Sequence, residues 1–410
     1  MKKRKGCDVL IVGGGPAGMT AALHAAKAGA DVCVVDSRPV PGEKMLLSGG
    51  GRCNILPLSV DAQQYATSSS PNTLRKILQS WPLADVRSFL ENTIGLRLVE
   101  QKRTGKLFPA TGGGEGVRDR FLATLRRSRV RVLTNTRVVG ILPNERRRVA
   151  VEGGPGIVAA QIVVATGGLS YARTGSDGFG FRVADALGHH VVPTYPALVS
   201  LRNGQFEHTA LAGIALPVRL EVGDGRAKRA AVGDFLFTHR GYSGPVVLNM
   251  AHHVTRGMAL GEHVPVRVAW LDRSESDWTG ALAGSRGTLR GTLKEALPDR
   301  LVDRLLEDLG LWDATLSSLR RGDRTRLLQA LVAYELPWVD CGGYREAEAT
   351  GGGVPLGEVD PKTLRSRIVP CVHFCGEVLD AVGSIGGYNF LWAFVTGRLA
   401  GEGAARARGG

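Results

Sequence analysis

The chain has 410 residues, 43% of them hydrophobic, and its 52 lysines and arginines against 38 aspartates and glutamates give a formal net charge of +14. That length predicts two or three domains, the apolar content excludes long disorder, and no run of 18 apolar residues predicts a membrane span. The basic excess fits either an anionic partner such as nucleic acid or the arginine-rich habit of a high-GC coding sequence.

In chain order, Lys2-Lys3-Arg4-Lys5 and the apolar stretch behind it imitate a signal peptide. Gly13, Gly14, Gly15 and Pro16 interrupt that stretch, and a regular pattern runs on to Asp36, so the segment reads as the first strand, turn and helix of the fold. Val9 to Val12 is a buried parallel strand, Ala17 to Ala28 a small-residue helix ended by Gly29, and Val32 to Val35 a second strand closed by Asp36. Gly13, Gly15 and Gly18 form G-x-G-x-x-G where the first strand stops. Gly13 makes the turn, Gly15 lets the backbone meet a pyrophosphate, Gly18 allows close helix–strand packing, and Asp36 can accept from ribose hydroxyls. The unit predicts dinucleotide binding.

Further along, "LLSGGGRCNI" places three glycines directly before Arg52, Cys53 and Asn54, a composition that lets something approach the backbone closely. Val158 to Thr166 is an apolar strand ending in Gly167-Gly168, as at a second cofactor contact. Leu198 to Asp272 alternates apolar and polar residues and predicts short antiparallel strands. Leu289 to Tyr334 turns to helical periodicity, with Leu301, Leu305, Leu306 and Leu309 on one face. Cys371 to Cys375 returns to a strand before Gly376-Glu377, and "GSIGGYN" precedes a helix over Phe390 to Leu399.

Six cysteines, at 7, 33, 53, 341, 371 and 375, are too sparse for a disulfide framework, and the spacing of Cys371 and Cys375 suits neither a zinc knuckle nor a thioredoxin-type motif. A reducing cytoplasm is the simplest setting. The pairs His189-His190 and His252-His253 lack an accompanying acid cluster and are expected at the surface rather than as metal ligands.

The stretches "VGGGPAG", "PGEKMLLSGGGRCN", "GKLFP", "IVVATGGLSY", "TGSDGFGFRVADALGH", "LFTHRGYSGPVVL" and "GEVLDAVGSIGGYNFLWAFVTG" resemble, in the same order, the BaiN-like flavoproteins, also described as aminoacetone-oxidase-like or YhiN-type FAD-binding proteins. "SGGGRCN" and "GGYNFLWA" are the specific ones. The resemblance implies an α/β fold with a Rossmann-type FAD-binding domain split in sequence and interrupted by a β-barrel-like domain with a helical insert. The expected layout is residues 1–193 for the first part of the FAD domain, 194–274 for the barrel-like part and 275–335 for the helical insert. Residues 336–410 then hold the return, with about 336–360 as barrel edge.

The same resemblance implies that FAD lies along the first turn at Gly13, Gly15, Pro16, Ala17 and Gly18, and at Asp36 and Ser37 beyond the second strand. It adds Lys44, Ser48, Gly50, Gly51, Arg52, Cys53 and Asn54 in the glycine-rich segment, then Val138, Thr166, Gly167 and Gly168. From the C-terminal part come Gly376, Glu377, Gly386, Gly387, Tyr388 and Asn389. Cys53 reads either as a redox or acid group or as a small packing residue, and His239, in "FTHRGYSGP", either as a substrate-facing side chain or as a structural one. No second strand–G-x-G-x-x-G–helix unit ends in an acid, since "TGGGEG" at 111 to 116 and "TGSDGFG" at 174 to 180 are wrongly spaced. NADH or NADPH is therefore expected as a transient donor without its own Rossmann domain. The chain departs from many relatives at Ile55-Leu56-Pro57, where they carry a Thr-Asn pair, and in the glycine-rich run after Pro109.

Activities implied by the family include reduction of a conjugated C=C bond, hydride going to the β-carbon and a proton to the α-carbon. One branch makes dihydrouridine in large-subunit ribosomal RNA, and another reduces an unsaturated steroid ketone. The charge pattern chooses between them. Arg118, Arg120, Arg126, Arg127, Arg129 and Arg131 stand close together beside one acid, Asp119, and Arg146-Arg147-Arg148, Arg226-Lys228-Arg229 and Arg320-Arg321-Arg324-Arg326 add to them. Such clusters can contact phosphates or form a solvated face. Ribosomal RNA or its precursor is the first expectation for the substrate, a small-molecule enone the second and a non-catalytic flavin sensor the third.

Overall fold

The computed structural model describes residues 6–101, 105–143, 147–283 and 287–409, and it forms two compact units, Met1–Pro196 with Ala347–Gly410 and Ala197–Glu346. Lys2 to Lys5 and Arg146 lie outside the described residues.

The first unit begins with β1 (Gly6–Val12), α1 (Pro16–Lys27) and β2 (Val32–Val35), within a few residues of the elements expected from the pattern. Then follow β3 (Leu56–Pro57), β4 (Tyr65–Ala66), α2 (Pro71–Gln79), α3 (Leu83–Ser88), β5 (Leu98–Gln101), β6 (Lys106–Pro109) and α4 (Gly113–Arg127). The stretch up to the second unit adds β7 (Arg131–Leu133), β8 (Val138–Leu142), β9 (Arg148–Val151), β10 (Ile157–Val164), α5 (Phe179–Ala186) and β11 (Val192–Ala197). Val9, Leu10 and Ile11 are wholly buried, which is why this strand carries no polar alternation.

The second unit contains β12 (Leu201–Asn203), β13 (Ala215–Val222), β14 (Arg229–Thr238), β15 (Gly241–Ser243), α6 (Pro245–Ala259) and β16 (Val266–Trp270). Its helical part is α7 (Glu275–Ala283), α8 (Leu289–Lys294), α9 (Asp299–Leu309) and α10 (Arg321–Val332), followed by β17 (Tyr334–Glu335), β18 (Trp338–Cys341) and α11 (Gly343–Glu346). The chain re-enters the first unit at Ala347, within the span expected as barrel edge, and adds β19 (Ala349–Gly353), β20 (Val372–Phe374), β21 (Val382–Gly383) and α12 (Tyr388–Ala407).

In the first unit the central sheet runs β7-β2-β1-β10-β9-β8, with β20 also on β10. β7, β2, β1, β10 and β20 pair in parallel, and β9 and β8 continue the sheet antiparallel. The parallel strands stop at one edge, and the turns that leave them carry the glycine motifs. α1 packs on α12 backbone to backbone. A Cβ on Gly397 would fall on the Ala17 carbonyl oxygen, and one on Gly401 on that of Ala21. This seam brings the N-terminal and C-terminal halves of the unit together.

The second unit is built on one seven-stranded sheet in the order β17-β16-β13-β14-β15-β12-β18, antiparallel throughout. Its two end strands are joined by only Leu336-Pro337, so the sheet comes round on itself. Phe235, Phe237, Tyr242 and Trp270 fill its centre as touching rings. Leu301, Leu305 and Leu306 are buried and Leu309 half-buried, as the helical spacing requires.

Two expectations need correction. The span 198–272 is not all strand: Pro245 at the first helical position opens α6, whose Val246, Val247, Met250, Ala251 and Val254 recur at helical spacing and are buried. The histidine pairs are not simply surface residues either. His189 is 3% exposed, its ring held between Glu358 Oε2 and Ser366 Oγ, each at 2.7 Å. His252 and His253 sit half-buried on α6 with ring centroids 3.9 Å apart, and burial pushes their pKa values down to about 3 and about 4. The partners of His189 stand about 170 positions away, beyond the reach of any local pattern.

Candidate active site

The first turn separates glycines required by the protein from a glycine required by something else. Gly13 has φ +103°, and a Cβ there would fall on the Ala165 carbonyl oxygen; one on Gly18 would fall on the Gly13 carbonyl oxygen. Those two close the strand–helix contact. A Cβ on Gly15 would meet nothing within 4 Å, although Gly15 precedes α1 and caps it with no side chain. The first N–H groups of α1 are thus left for a partner in the open space before them, with Pro16 supplying none of its own. Asp36 stands beside this space. Its Oδ2 accepts from Gly14 N at 2.7 Å and its Oδ1 from Arg38 N at 2.8 Å. Burial raises its pKa, and these two hydrogen bonds oppose the rise. Each carboxylate oxygen retains a lone pair for an outside donor. Ser37, next to it, is exposed.

The glycines of the 46–55 stretch are conformational as well as spatial. Gly49, Gly50 and Gly51 have φ of +56°, +65° and +87°, and a Cβ on Gly50 would meet nothing within 4 Å. The first turn of α4 backs this segment closely: a Cβ on Gly113 would fall on the Gly51 carbonyl oxygen and one on Gly114 on that of Met45. The glycine-rich run after Pro109 therefore serves packing. Ser48 accepts from the Cys53 amide at 3.0 Å and holds the turn. Cys53 itself is 0% exposed, and burial pushes its thiol up to about 12. Asn54 is buried, with Oδ1 lacking any hydrogen-bond partner, a costly condition unless a ligand satisfies it. Arg52 is exposed and stands over the Phe108 ring, 5.4 Å from its centroid.

Lys44 joins residues from three distant parts of the chain. Its Nζ lies 2.6 Å from Glu377 Oε2 and 3.1 Å from Ser170 Oγ. Glu377 Oε1 accepts from Ser170 Oγ at 2.9 Å and from Thr350 N at 2.8 Å. Gly168 makes room for this network, since a Cβ there would fall on Thr350 Oγ1. Ser170 and Thr350 escaped the sequence reading because single hydroxyl residues carry no signature. Gly167, before the network, has φ +74°. The Thr166 hydroxyl faces Gly180 and is itself buried without a partner.

At the C-terminal end, Gly376 approaches Ala17 of α1, where an added Cβ would come to 2.8 Å of the alanine methyl. Gly386 and Gly387, with φ +117° and +92°, lead into α12, and a Cβ on Gly387 would fall 2.6 Å from the Leu56 backbone. Asn389 does not reach outward. Its Oδ1 accepts from Gly383 N at 2.8 Å and its Nδ2 donates to Gly383 O at 2.9 Å, which clamps the loop. Tyr388 accepts at its carbonyl from the Tyr65 hydroxyl. Asp380, missed in the sequence, is wholly buried: Oδ2 accepts from Thr67, Ser68 and Ser69, and Oδ1 has no partner. Its signal was an acid inside the otherwise apolar "VLDAVG". Val138 is buried on β8, paired with Val151, with no polar role in the cradle. His239 belongs to the second unit, exposed at the β14–β15 turn that Thr238 closes by accepting from Arg240 N and Gly241 N.

These features fit FAD. An uncapped helix start faces open space that Gly15 leaves unfilled, Gly50 presents exposed backbone at positive φ, and Asn54 Oδ1 awaits a donor. The comparisons agree. The HI0933-like protein Rossmann domain matches residues 7–403. The 3-dehydro-bile acid delta(4,6)-reductase of Clostridium scindens is 30% identical over 405 residues, covering 96% of this chain and 98% of the relative. The ribosomal RNA dihydrouridine synthase of Escherichia coli is 33% identical over 394 residues, covering 94% and 95%. Among solved structures, a 3-ketosteroid-delta4-(5alpha)-dehydrogenase from Rhodococcus jostii RHA1 shares the fold, with TM-score 0.52 at 16% identity over 99% of this chain and 98% of that one. The chain belongs to the HI0933-like Rossmann family, as its motifs implied, and it is an FAD-dependent oxidoreductase.

Proposed function

We propose that this protein reduces a conjugated C=C bond with NADH or NADPH as donor, and that its substrate is uridine in ribosomal RNA. When bound, FAD supplies the hydride chemistry. The chain's own residues bind and orient. Gly13, Gly15, Pro16, Ala17 and Gly18 present the α1 N-terminus to the pyrophosphate, and Asp36 accepts from the ribose. Lys44, paired to Glu377, fixes the glycine-rich segment beside the ring site, and Gly386 to Asn389 shape the opposite wall. Cys53 acts here as a packing residue, because its thiol is sealed within the protein and held far above neutrality.

Two full-length relatives, named for bile acid reduction and for dihydrouridine synthesis, support the C=C reading and leave the substrate between them. The observation that carries RNA is the unpaired charge at the end of α4. Arg126, Arg127 and Arg129 are all exposed; Arg127 bonds only to the Thr124 hydroxyl, and among the described residues Arg126 and Arg129 make no side-chain hydrogen bond or ion pair. By contrast, Arg118 is tied to Glu115 and Asp119, and Arg131 to Asp31 and the Gly6 carbonyl. Unpaired exposed arginines on a chain of +14 suit phosphate contacts. A small-molecule enone is the second reading, favoured by the bile acid relative. Six free cysteines and the absence, among the described residues, of any helix long and apolar enough to cross a membrane are compatible with a cytoplasmic setting. Nucleoside analysis of ribosomal RNA from a deletion strain tests the reading: a missing dihydrouridine restored by the wild-type gene supports it, and unchanged RNA transfers the assignment to the enone.

A further inference from the structure

Strand β6 carries Lys106 and Phe108 two residues apart, so both side chains share one face of the small sheet β3-β6-β5. Arg52 brings its guanidinium over Phe108. At the other end of this face, the position a Cβ would occupy on Gly386 lies 3.5 Å from Lys106 Cε. The lysine therefore extends to the loop before α12 that belongs to the cofactor cradle. Lys44 is committed to Glu377 and Ser170. Lys106 and Arg52 are not: among the described residues, neither cationic group has a hydrogen bond or an ion pair, and the acid whose charge acts on Lys106 is Glu348. Two cations without a hydrogen-bond acceptor, Lys106 half-buried and Arg52 exposed, suit an electron-rich atom of a ligand.

Reducing a C=C bond conjugated to a carbonyl creates such an atom. As hydride forms the new C–H bond at the β-carbon, the π pair of the C=C shifts toward the carbonyl, whose oxygen takes the negative charge. A proton from water then adds at the α-carbon and the carbonyl is restored; hydride and proton together account for the two hydrogens gained. The slow step is helped by a donor aimed at that oxygen.

We propose that Lys106 is this donor, its ammonium hydrogen-bonding the carbonyl oxygen conjugated to the reducible bond while Arg52 adds positive potential. The assignment rests on the C=C-reductase reading and holds for the uracil carbonyl or an enone alike. Lys106 keeps its own protons throughout. Burial, with Arg52 assisting and Glu348 opposing, lowers its pKa from the ordinary lysine value, which makes the ammonium a stronger hydrogen-bond donor.

The test separates the two halves of turnover in FAD-loaded protein, with unmodified large-subunit ribosomal RNA and a 4-en-3-one steroid as probes. Lys106→Met is expected to keep its FAD and its rate of flavin reduction by NAD(P)H, while reoxidation by whichever probe the wild type uses falls by about 100-fold or more. Lys106→Arg, which keeps a cationic donor, is expected to recover at least a tenth of the wild-type reoxidation rate. Reoxidation at the wild-type rate in Lys106→Met overturns the proposal, and so does a Lys106→Arg variant as slow as Lys106→Met. A wild-type protein that reduces neither probe, though NAD(P)H reduces its flavin, overturns the C=C reading and the proposal with it.

Discussion

Two buried polar clusters, one in each unit, are treated in opposite ways. Around His208 of the second unit the groups are closed on one another: His208, 1% exposed, has Nδ1 at 2.8 Å from the Tyr242 hydroxyl and Nε2 at 3.0 Å from that of Tyr334, which donates to Asp308 at 3.2 Å. In the first unit the α1 amides face open space, and Asn54 Oδ1 and Asp380 Oδ1 are buried without partners. Buried polar groups are normally paired, so a satisfied network reads as scaffold and an unsatisfied one as a place prepared for a ligand. The same contrast runs through the glycines, where Gly18 is demanded by backbone contact and Gly15 by empty space.

The contrast is broken most severely at those two glycines. Gly18→Val is expected to abolish soluble expression, since its side chain would collide with the Gly13 carbonyl at the heart of the fold. Gly15→Val is expected to fold and to emerge colourless, having filled the space meant for the pyrophosphate. Flavin absorbance and circular dichroism on both variants check this, and a yellow Gly15→Val protein would remove the cradle from where it is placed here.

A smaller effect is expected at the unpaired arginines. The logarithm of RNA affinity should fall linearly with that of salt, by roughly 0.7 to 0.9 per phosphate contacted. Reversing Arg126, Arg127 and Arg129 to glutamate should flatten that slope by about 2 to 3 and abolish uridine reduction, while FAD content and NAD(P)H oxidation stay intact. An unchanged slope would make the patch a solvated face.

The closed network of the second unit should report in stability alone. His208→Ala strands the buried Tyr242 hydroxyl, while Tyr334 keeps its bond to Asp308, and is expected to cost about 1–3 kcal/mol, seen as a lower denaturation midpoint with unaltered flavin content. Flavin loss at full stability would contradict the reading of this network as scaffold. Cys53→Ser should do least: burial of an unpartnered hydroxyl costs about 1–2 kcal/mol, and turnover is expected to stay within about twofold. A drop of about 100-fold with flavin reduction preserved would return the thiol to the chemistry.

What the sequence determined by itself was short-range, and even there α6 was hidden among alternating strands. The strand, glycine turn, helix and acid of residues 9–36 were legible because β-branched runs, helical spacing and positive-φ glycines act over a few residues, and the helix after "GGYN" for the same reason. The tertiary structure decided which of the motif residues face outward. Asp36 accepts hydrogen bonds from neighbouring backbone amides, Asn389 pairs with the Gly383 backbone, Cys53 is sealed in the core, and His189 is drawn inside by Glu358 and Ser366. Lys44 meets Glu377 across 333 positions of chain, and Lys106 reaches the Gly386 loop. Periodicity carries no record of such meetings, because they are set by how sheets and helices stack once the local elements exist, and burial then changes what each group can do.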